Sequence, residues 1–158
     1  VTAVSAGVLL YRRGPRGIEV LIAHPGGPYF ASKQEGAWSV PKGLVEPDEG
    51  LEPAARREWE EETGLELPGG AWLDLGETVL RSGKRVRVWG VPGEADPTEL
   101  DGNTFELEWP PRSGQTRTFP EIDEVRWCPP AEAQMLLNSA QAVFVDRLLK
   151  ILGESADE

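Results

Sequence analysis

Along most of this 158-residue chain, apolar residues come in short clusters punctuated by glycine, proline and charge, a rhythm that predicts strands more often than helices. Residues 4–11 and 19–23 are rich in valine, isoleucine and leucine and are separated by "RRGPRG", so they read as two strands joined by a turn. "HPGGPYFASKQEG" follows and is too polar and too broken for regular structure; it is expected to be a surface loop of a length that often carries function. "AWSVP" reads as a short strand delivering the chain to Gly43. At Leu51–Thr63 the pattern changes to alanine, arginine and glutamate, with Pro53 in the first turn and Gly64 where a helix would stop, which predicts the clearest helix of the chain. Residues 72–80 and 85–91 flank "RSGKR" as a hairpin would. "PGEADPTELDGN" is a polar loop, residues 105–109 a further candidate strand broken by "PPRSGQ", and residues 121–127 a final strand. Residues 131–152 space Val143, Leu148, Leu149 and Leu152 as one or two helices would. Mixed helix and strand throughout predict an α/β fold, a sandwich with a mixed sheet covered by helices.

Composition narrows this picture. An apolar fraction of 39% and a charged fraction of 27% are those of a folded chain, and the length suits one hydrophobic core. A single domain over residues 1–153 is expected, followed by a flexible acidic tail at 154–158. The net charge of -11 opposes non-specific attraction to nucleic acid or to an anionic membrane, so neither is expected as a partner. Cys128 is the sole cysteine and His24 the sole histidine, which excludes an internal disulfide and an ordinary structural zinc site. With no positive leader before the first apolar run and no stretch long enough to span a bilayer, a reducing, cytoplasmic setting is expected. Val1 in place of methionine suggests a processed or trimmed start. Nothing in the pattern points to an oligomeric state.

The candidate chemistry lies in "EWEEE", residues 58–62. On a helix, positions three and four apart are neighbours, so Glu58, Glu61 and Glu62 share a face while Glu60 points elsewhere. Like charges so placed raise one another's pKa and weaken the helix, and a divalent cation reverses that cost. Oxygen ligands without thiolates or several imidazoles select hard cations, Mg²⁺ or Mn²⁺, and magnesium commonly completes its shell with phosphate oxygens. The plain alternative is a solvated acidic face.

The surrounding spacing weighs against that alternative. Gly43, Glu49 after five residues, Arg57-Glu58 after seven more, then Glu61-Glu62, Gly64 and Leu65 resemble the Nudix box, Gly-x5-Glu-x7-Arg-Glu-U-x-Glu-Glu-x-Gly-U with U a bulky aliphatic. The sole departure is Trp59 in the first U place. The resemblance covers the box in detail and most of the chain in outline, and it implies a Nudix-type α/β/α sandwich. It further implies a metal-dependent hydrolase that cleaves the phosphoanhydride of a nucleoside diphosphate linked to another group, with a small-molecule nucleotide or polyphosphate as partner.

Carried onto this chain, the resemblance makes Glu58, Glu61 and Glu62 metal ligands, with the carbonyl of Gly43 as a further one. Arg57 would pair with a neighbouring glutamate and Glu49 would support the site. Candidates for the general base are Glu58, Glu121 and Glu108. Lys42, in "VPKG", and Arg112, in "PPRSG", are candidate phosphate contacts, each with a solvated side chain as the alternative. The Pro-Lys-Gly sequence resembles that of relatives acting on longer phosphate chains and favours a nucleoside triphosphate or dinucleoside polyphosphate. Both tyrosines precede the box, however, so the tyrosine common after it in dinucleoside polyphosphate hydrolases has no match. Trp89, Phe105, Trp109 and Tyr29 could face a base, although aromatics in strands are more often core. His24 suits a structural hydrogen bond better than a substrate contact. The competing functions are a nucleotide-sensing module that kept the fold and lost turnover, isomerase chemistry, and RNA cap removal; the complete set of glutamates, the lack of a catalytic cysteine pairing and the acidic surface argue against them in turn.

Overall fold

The computed structural model describes residues 3–67 and 70–154. Its frame is set by the first strand, β1 (Val4–Gly14), whose six consecutive residues from Ser5 to Leu10 are all buried. A strand hydrophobic on both faces has to be covered on both, and β1 is. It pairs antiparallel with β2 (Gly17–Pro25) and with the short β3 (Lys42–Leu44), and parallel with β5 (Arg85–Pro92) along its other edge. With β4 (Leu73–Val79) beyond β5 and β8 (Ile122–Cys128) beyond β2, the described residues form a mixed six-stranded sheet in the order β4-β5-β1-β2-β8, with β3 joined to β1.

Alternate residues of each strand feed two separate cores, as the two-residue repeat of a strand requires. Ala6, Val8, Leu10, Leu21, Ala23, Trp89 and Val91 pack with Ala54, Ala55 and Trp59 of α1 (Leu51–Thr63). Leu9, Val20, Ile22, Val86 and Val88 face the other way, toward Leu136 of α2 (Pro130–Leu136) and Phe144, Val145 and Leu148 of α3 (Ser139–Leu152). The result is the expected α/β/α sandwich. A separate hairpin, β6 (Thr104–Glu108) with β7 (Thr116–Pro120), projects beside it.

Two segments differ from the sequence reading. "AWSVP" contributes only isolated bridges, Ala23 to Ser39 and Trp38 to Leu137, because Trp38 turns into the α2/α3 core; the regular strand lies later, at Lys42–Leu44. "PPRSGQ" follows the end of β6 as expected, but it turns a hairpin whose return strand, β7, was not expected; β7 is mostly exposed and so lacks the apolar signature of a core strand. The 131–152 region, expected as one or two helices, forms two, the second capped by the Asn138 side chain accepting from the Ala140 N–H at 3.0 Å. Of the acidic tail, Glu154 pairs with Arg13, and residues 155–158 lie outside the described residues. Among the described residues, no helix is long and apolar enough to cross a membrane.

Two buried side chains test the packing. Trp59 is fully buried, and its indole N–H donates to the Leu65 carbonyl at 3.0 Å. Trp59→Ala is expected to lower unfolding free energy by about 3–5 kcal/mol, read from urea denaturation. Cys128 is fully buried in β8, and burial pushes its thiol up to about 12. Native protein at pH 8 should therefore leave a thiol reagent unreacted until denaturant is added, since only the thiolate attacks.

Candidate active site

Helix α1 begins without a side-chain cap and ends at Gly64, which adopts a left-handed conformation (φ 66°). An alanine Cβ there would lie 2.1 Å from the carbonyl oxygen of Asp101, so both the turn and the close approach call for glycine. Thr63 closes the last turn: its hydroxyl donates to the Trp59 carbonyl at 2.6 Å and accepts from the Leu65 N–H at 3.1 Å. Trp59, in the place where the motif expects an aliphatic residue, anchors the helix to the sheet from beneath.

The carboxylates sit against the helix dipole. Glu60, Glu61 and Glu62 lie in the final turn, which carries no basic residue, and the carbonyl end of a helix repels negative charge. Arg57 supplies much of the compensation. Its guanidinium bonds both oxygens of Glu49, at 2.7 and 2.8 Å, and reaches Glu58 at 2.8 Å, Glu61 at 3.0 Å and the Leu44 carbonyl at 3.1 Å. The paired arginine holds the Glu49 carboxyl down at about 2. Burial pushes Glu58 up despite Arg57. Gly43 makes room for Glu58, because a Cβ at that position would come within 1.9 Å of the Glu58 Oε2.

Glu62 belongs to a different setting. It lines a cavity of about 130 Å³ with Lys42, Glu121, Pro25, Ser39 and Ile122, among others. Burial, then the charges of Glu121 and Glu58, push its carboxyl up to about 7. Burial also lowers Lys42. Sequence separation hides this grouping, and backbone bonding creates it. The Asp101 N–H donates to the Thr63 carbonyl at 2.9 Å and the Asn103 N–H to the Glu61 carbonyl at 2.7 Å, while the Glu121 N–H donates to the Asn103 carbonyl at 2.9 Å. Segment 101–103 thus caps the end of α1 and ties Glu121 to it. Gly102 presses so closely that a Cβ would stand 1.9 Å from the Glu62 carbonyl oxygen. No side chain in this strap makes those bonds, so sequence reading had only the glycine as a signal.

The other candidates are placed apart. Glu108 and Arg112 lie at the far end of the β6–β7 hairpin, where the Arg112 N–H donates to Glu108 Oε1 at 3.2 Å. Trp89 is buried against Trp72. His24 is buried and makes two hydrogen bonds, through Nδ1 to Asp123 and through Nε2 to the Lys33 carbonyl, each 2.7 Å.

Among the described residues, no group of three or more His, Cys, Asp or Glu side chains is arranged to hold a metal ion. The Arg57 guanidinium engages Glu58 and Glu61, while Glu62 lines the cavity. The donors nevertheless suit a hard divalent cation: they are oxygens only, one carboxylate fills the space a Gly43 side chain would take, and burial, then the charges of Glu121 and Glu58, disfavour an ionised Glu62.

Burial and repulsion together have a stability cost with a definite sign. A carboxyl raised from the ordinary value to about 7 in the folded state stabilises the fold fully below its unfolded pKa and loses that contribution as pH rises through 7. In metal-free buffer with chelator, Glu62→Gln should melt higher than the parent at pH 8, with the difference vanishing near pH 4. Thermal melts across that range read it.

Comparison with known proteins agrees with the architecture. The family model for the NUDIX domain matches residues 1–148. The chain is similar to an RNA pyrophosphohydrolase from Erythrobacter litoralis (strain HTCC2594), 38% identical over 80 residues, 48% of this chain and 44% of that protein; the match thus spans less than half the relative's length. In fold it is similar to a C. elegans Ap4A hydrolase binary complex (TM-score 0.64, 20% identity, 94% and 98% of the two chains). A further similar structure is the NUDIX domain of Shewanella oneidensis NrtR complexed with ADP ribose (TM-score 0.63, 16% identity, 96% and 89%). With the family model matching residues 1–148 of its 158 residues, the chain belongs to the NUDIX domain family.

Proposed function

We propose that this chain is a metal-dependent pyrophosphohydrolase that cleaves a phosphoanhydride in a nucleoside diphosphate-X substrate, with nucleoside triphosphates or dinucleoside polyphosphates favoured. The observation that carries the reading is the meeting of Lys42, Glu62 and Glu121 at one small cavity beside the carboxylates of α1. In this reading Glu58, Glu61, Glu62 and the Gly43 carbonyl hold Mg²⁺ or Mn²⁺. When bound, such an ion polarises phosphoryl oxygens and lowers the pKa of a coordinated water.

The chain's own residues then have separable tasks. Arg57 holds Glu49, Glu58 and Glu61 in one network and keeps the carboxylates oriented. Lys42 presents positive charge to the phosphates from the floor of the cavity. Glu121, with its backbone tied to the strap at the end of α1, is the favoured general base and would take a proton from the attacking water. Glu58 is the second candidate for that role. Glu108 and Arg112, out on the hairpin, could serve only a distal part of a substrate, where Arg112 would meet a remote phosphate.

The name of the Erythrobacter relative favours one further reading, in which the phosphoanhydride is at an RNA end. The net charge of -11 weighs against extended contact with an RNA backbone. A sensing module that binds nucleotide without turnover is the remaining alternative.

One panel decides among them: nucleoside triphosphates, dinucleoside polyphosphates, nucleotide sugars, ADP-ribose and 5′-triphosphorylated RNA, with products separated by chromatography under Mg²⁺ and Mn²⁺. Hydrolysis of a small nucleotide is expected, nearly abolished in Glu61→Gln and in Glu62→Gln, with kcat reduced about 10²–10⁴-fold in Glu121→Gln. Full activity in both helix variants would reject the reading. Binding without phosphate release would favour the sensor, and activity confined to RNA would favour the second reading.

A further inference from the structure

The loop between β2 and β3 carries two aromatic rings into solvent. Tyr29 is 56% exposed and Phe30 39%, and among the described residues they are the only exposed aromatics. Exposed rings need no explanation on a loose loop, but this loop is tied down along its length. The Gly26 N–H donates to the Glu121 carbonyl at 2.9 Å, and the Gly36 N–H to the Met135 carbonyl at 3.2 Å. Between them, buried His24 grips Asp123 with one ring nitrogen and the Lys33 carbonyl with the other. Two turns lie inside the loop, Phe30 N–H to Gly27 carbonyl at 3.4 Å and Lys33 N–H to Phe30 carbonyl at 3.0 Å. The rings are held out by an ordered scaffold.

The β6–β7 hairpin supplies a second wall. Phe105, opposite Phe119 in the ladder, packs on the loop so closely that a Cβ on Gly27 would lie 2.9 Å from its Cζ. At the hairpin's far end Trp109 meets Tyr29 edge to face, with centroids 5.3 Å apart and planes at 81°. More than half of Tyr29 remains open, which leaves aromatic surface for a third planar group. Cationic side chains flank the corner. Lys33 lies 5.5 Å from the Phe30 ring centroid, and Arg112 is exposed at the same hairpin tip.

The distance to the cavity matters. Tyr29 is three residues from Gly26, which bonds Glu121 directly, so full extension caps their backbone separation at about 11 Å. A nucleobase on Tyr29 would therefore be tethered, through Gly26, to the segment that carries Glu121.

We infer that the Tyr29–Trp109 corner is the nucleoside subsite, where the base stacks while the phosphates run back past Lys33 to the cavity. This rests on the pyrophosphohydrolase reading above. Stacking of a base on an aromatic side chain is sequence-tolerant because every base offers a π-face, so the corner selects for a nucleoside over a base-free polyphosphate more than for one base over another.

The test compares a nucleoside triphosphate with inorganic tripolyphosphate in Tyr29→Ala, Trp109→Ala and the double variant, with Tyr29→Phe as the conservative replacement. In the double variant KM for the nucleotide should rise about 10-fold or more with kcat little changed, KM for tripolyphosphate should stay put, and Tyr29→Phe should behave as the parent. An unchanged nucleotide KM, or equal losses for both substrates, would overturn the assignment. If the parent hydrolyses neither compound, the reaction assignment fails separately. Equilibrium dialysis of labelled nucleotide then decides the subsite: binding lost in the double variant supports it, and binding retained there, or absent from the parent, refutes it.

Discussion

Helix α1 gathers Glu58, Glu60, Glu61 and Glu62 into its last turn and a half, where the backbone already presents negative partial charge and no basic residue answers it. Both the neighbouring carboxylates and the helix dipole disfavour this arrangement, and at Glu62 burial, then the charges of Glu121 and Glu58, raise the carboxyl to about 7. The surrounding structure supplies what the helix lacks. Trp59 and the alanines at 54 and 55 bury one face against β1, Arg57 draws three glutamates together, and the strap at residues 101–103 satisfies the terminal carbonyls. A fold that concentrates negative charge at such an unfavourable place is suited to receiving positive charge from outside.

The same contacts that hold the helix also assemble the cavity. β3 is only three residues long, yet it sets Lys42 and Gly43 beside α1 through its pairing with Ser5, Ala6 and Gly7 of β1. Glu121 arrives from the opposite direction at the start of β8, fixed by Asn103 on one side and by Gly26 on the other. The Gly26 bond extends the arrangement outward, since it fixes the start of the loop that carries Tyr29. The α1 carboxylates, cavity and aromatic corner are thus linked through backbone hydrogen bonds, which tolerate changes of side chain except at glycines such as Gly26, Gly64 and Gly102, where no Cβ fits.

How much of this could be read from the sequence depended on where the signal lay. The α1 boundaries were plain because Pro53 and Gly64 punctuate them, and the motif spacing pointed to Arg57, Glu49 and the three glutamates at once. The strands of the sheet other than the short β3 showed as apolar clusters. β7 did not, because "TRTFP" belongs to a hairpin outside the sandwich and buries little. "AWSVP" looked like a strand because its apolar residues fill the α2/α3 core without forming a ladder. The companionship of Glu62 with Glu121, almost sixty residues apart, depends on a strap that bonds through backbone alone. The meeting of Tyr29 with Trp109 was equally hidden, since each is an ordinary aromatic until the loop and hairpin bring them together.

The central claim is that the acidic face of α1 accepts a hard divalent cation, and anomalous diffraction from crystals soaked in Mn²⁺ tests it most directly. The account predicts an anomalous peak bonded to carboxylate oxygens among Glu58, Glu61 and Glu62, lost when Glu61 and Glu62 are both replaced by glutamine. Saturating Mn²⁺ with those carboxylates still bound only to Arg57 and the cavity, and no peak between them, would contradict it.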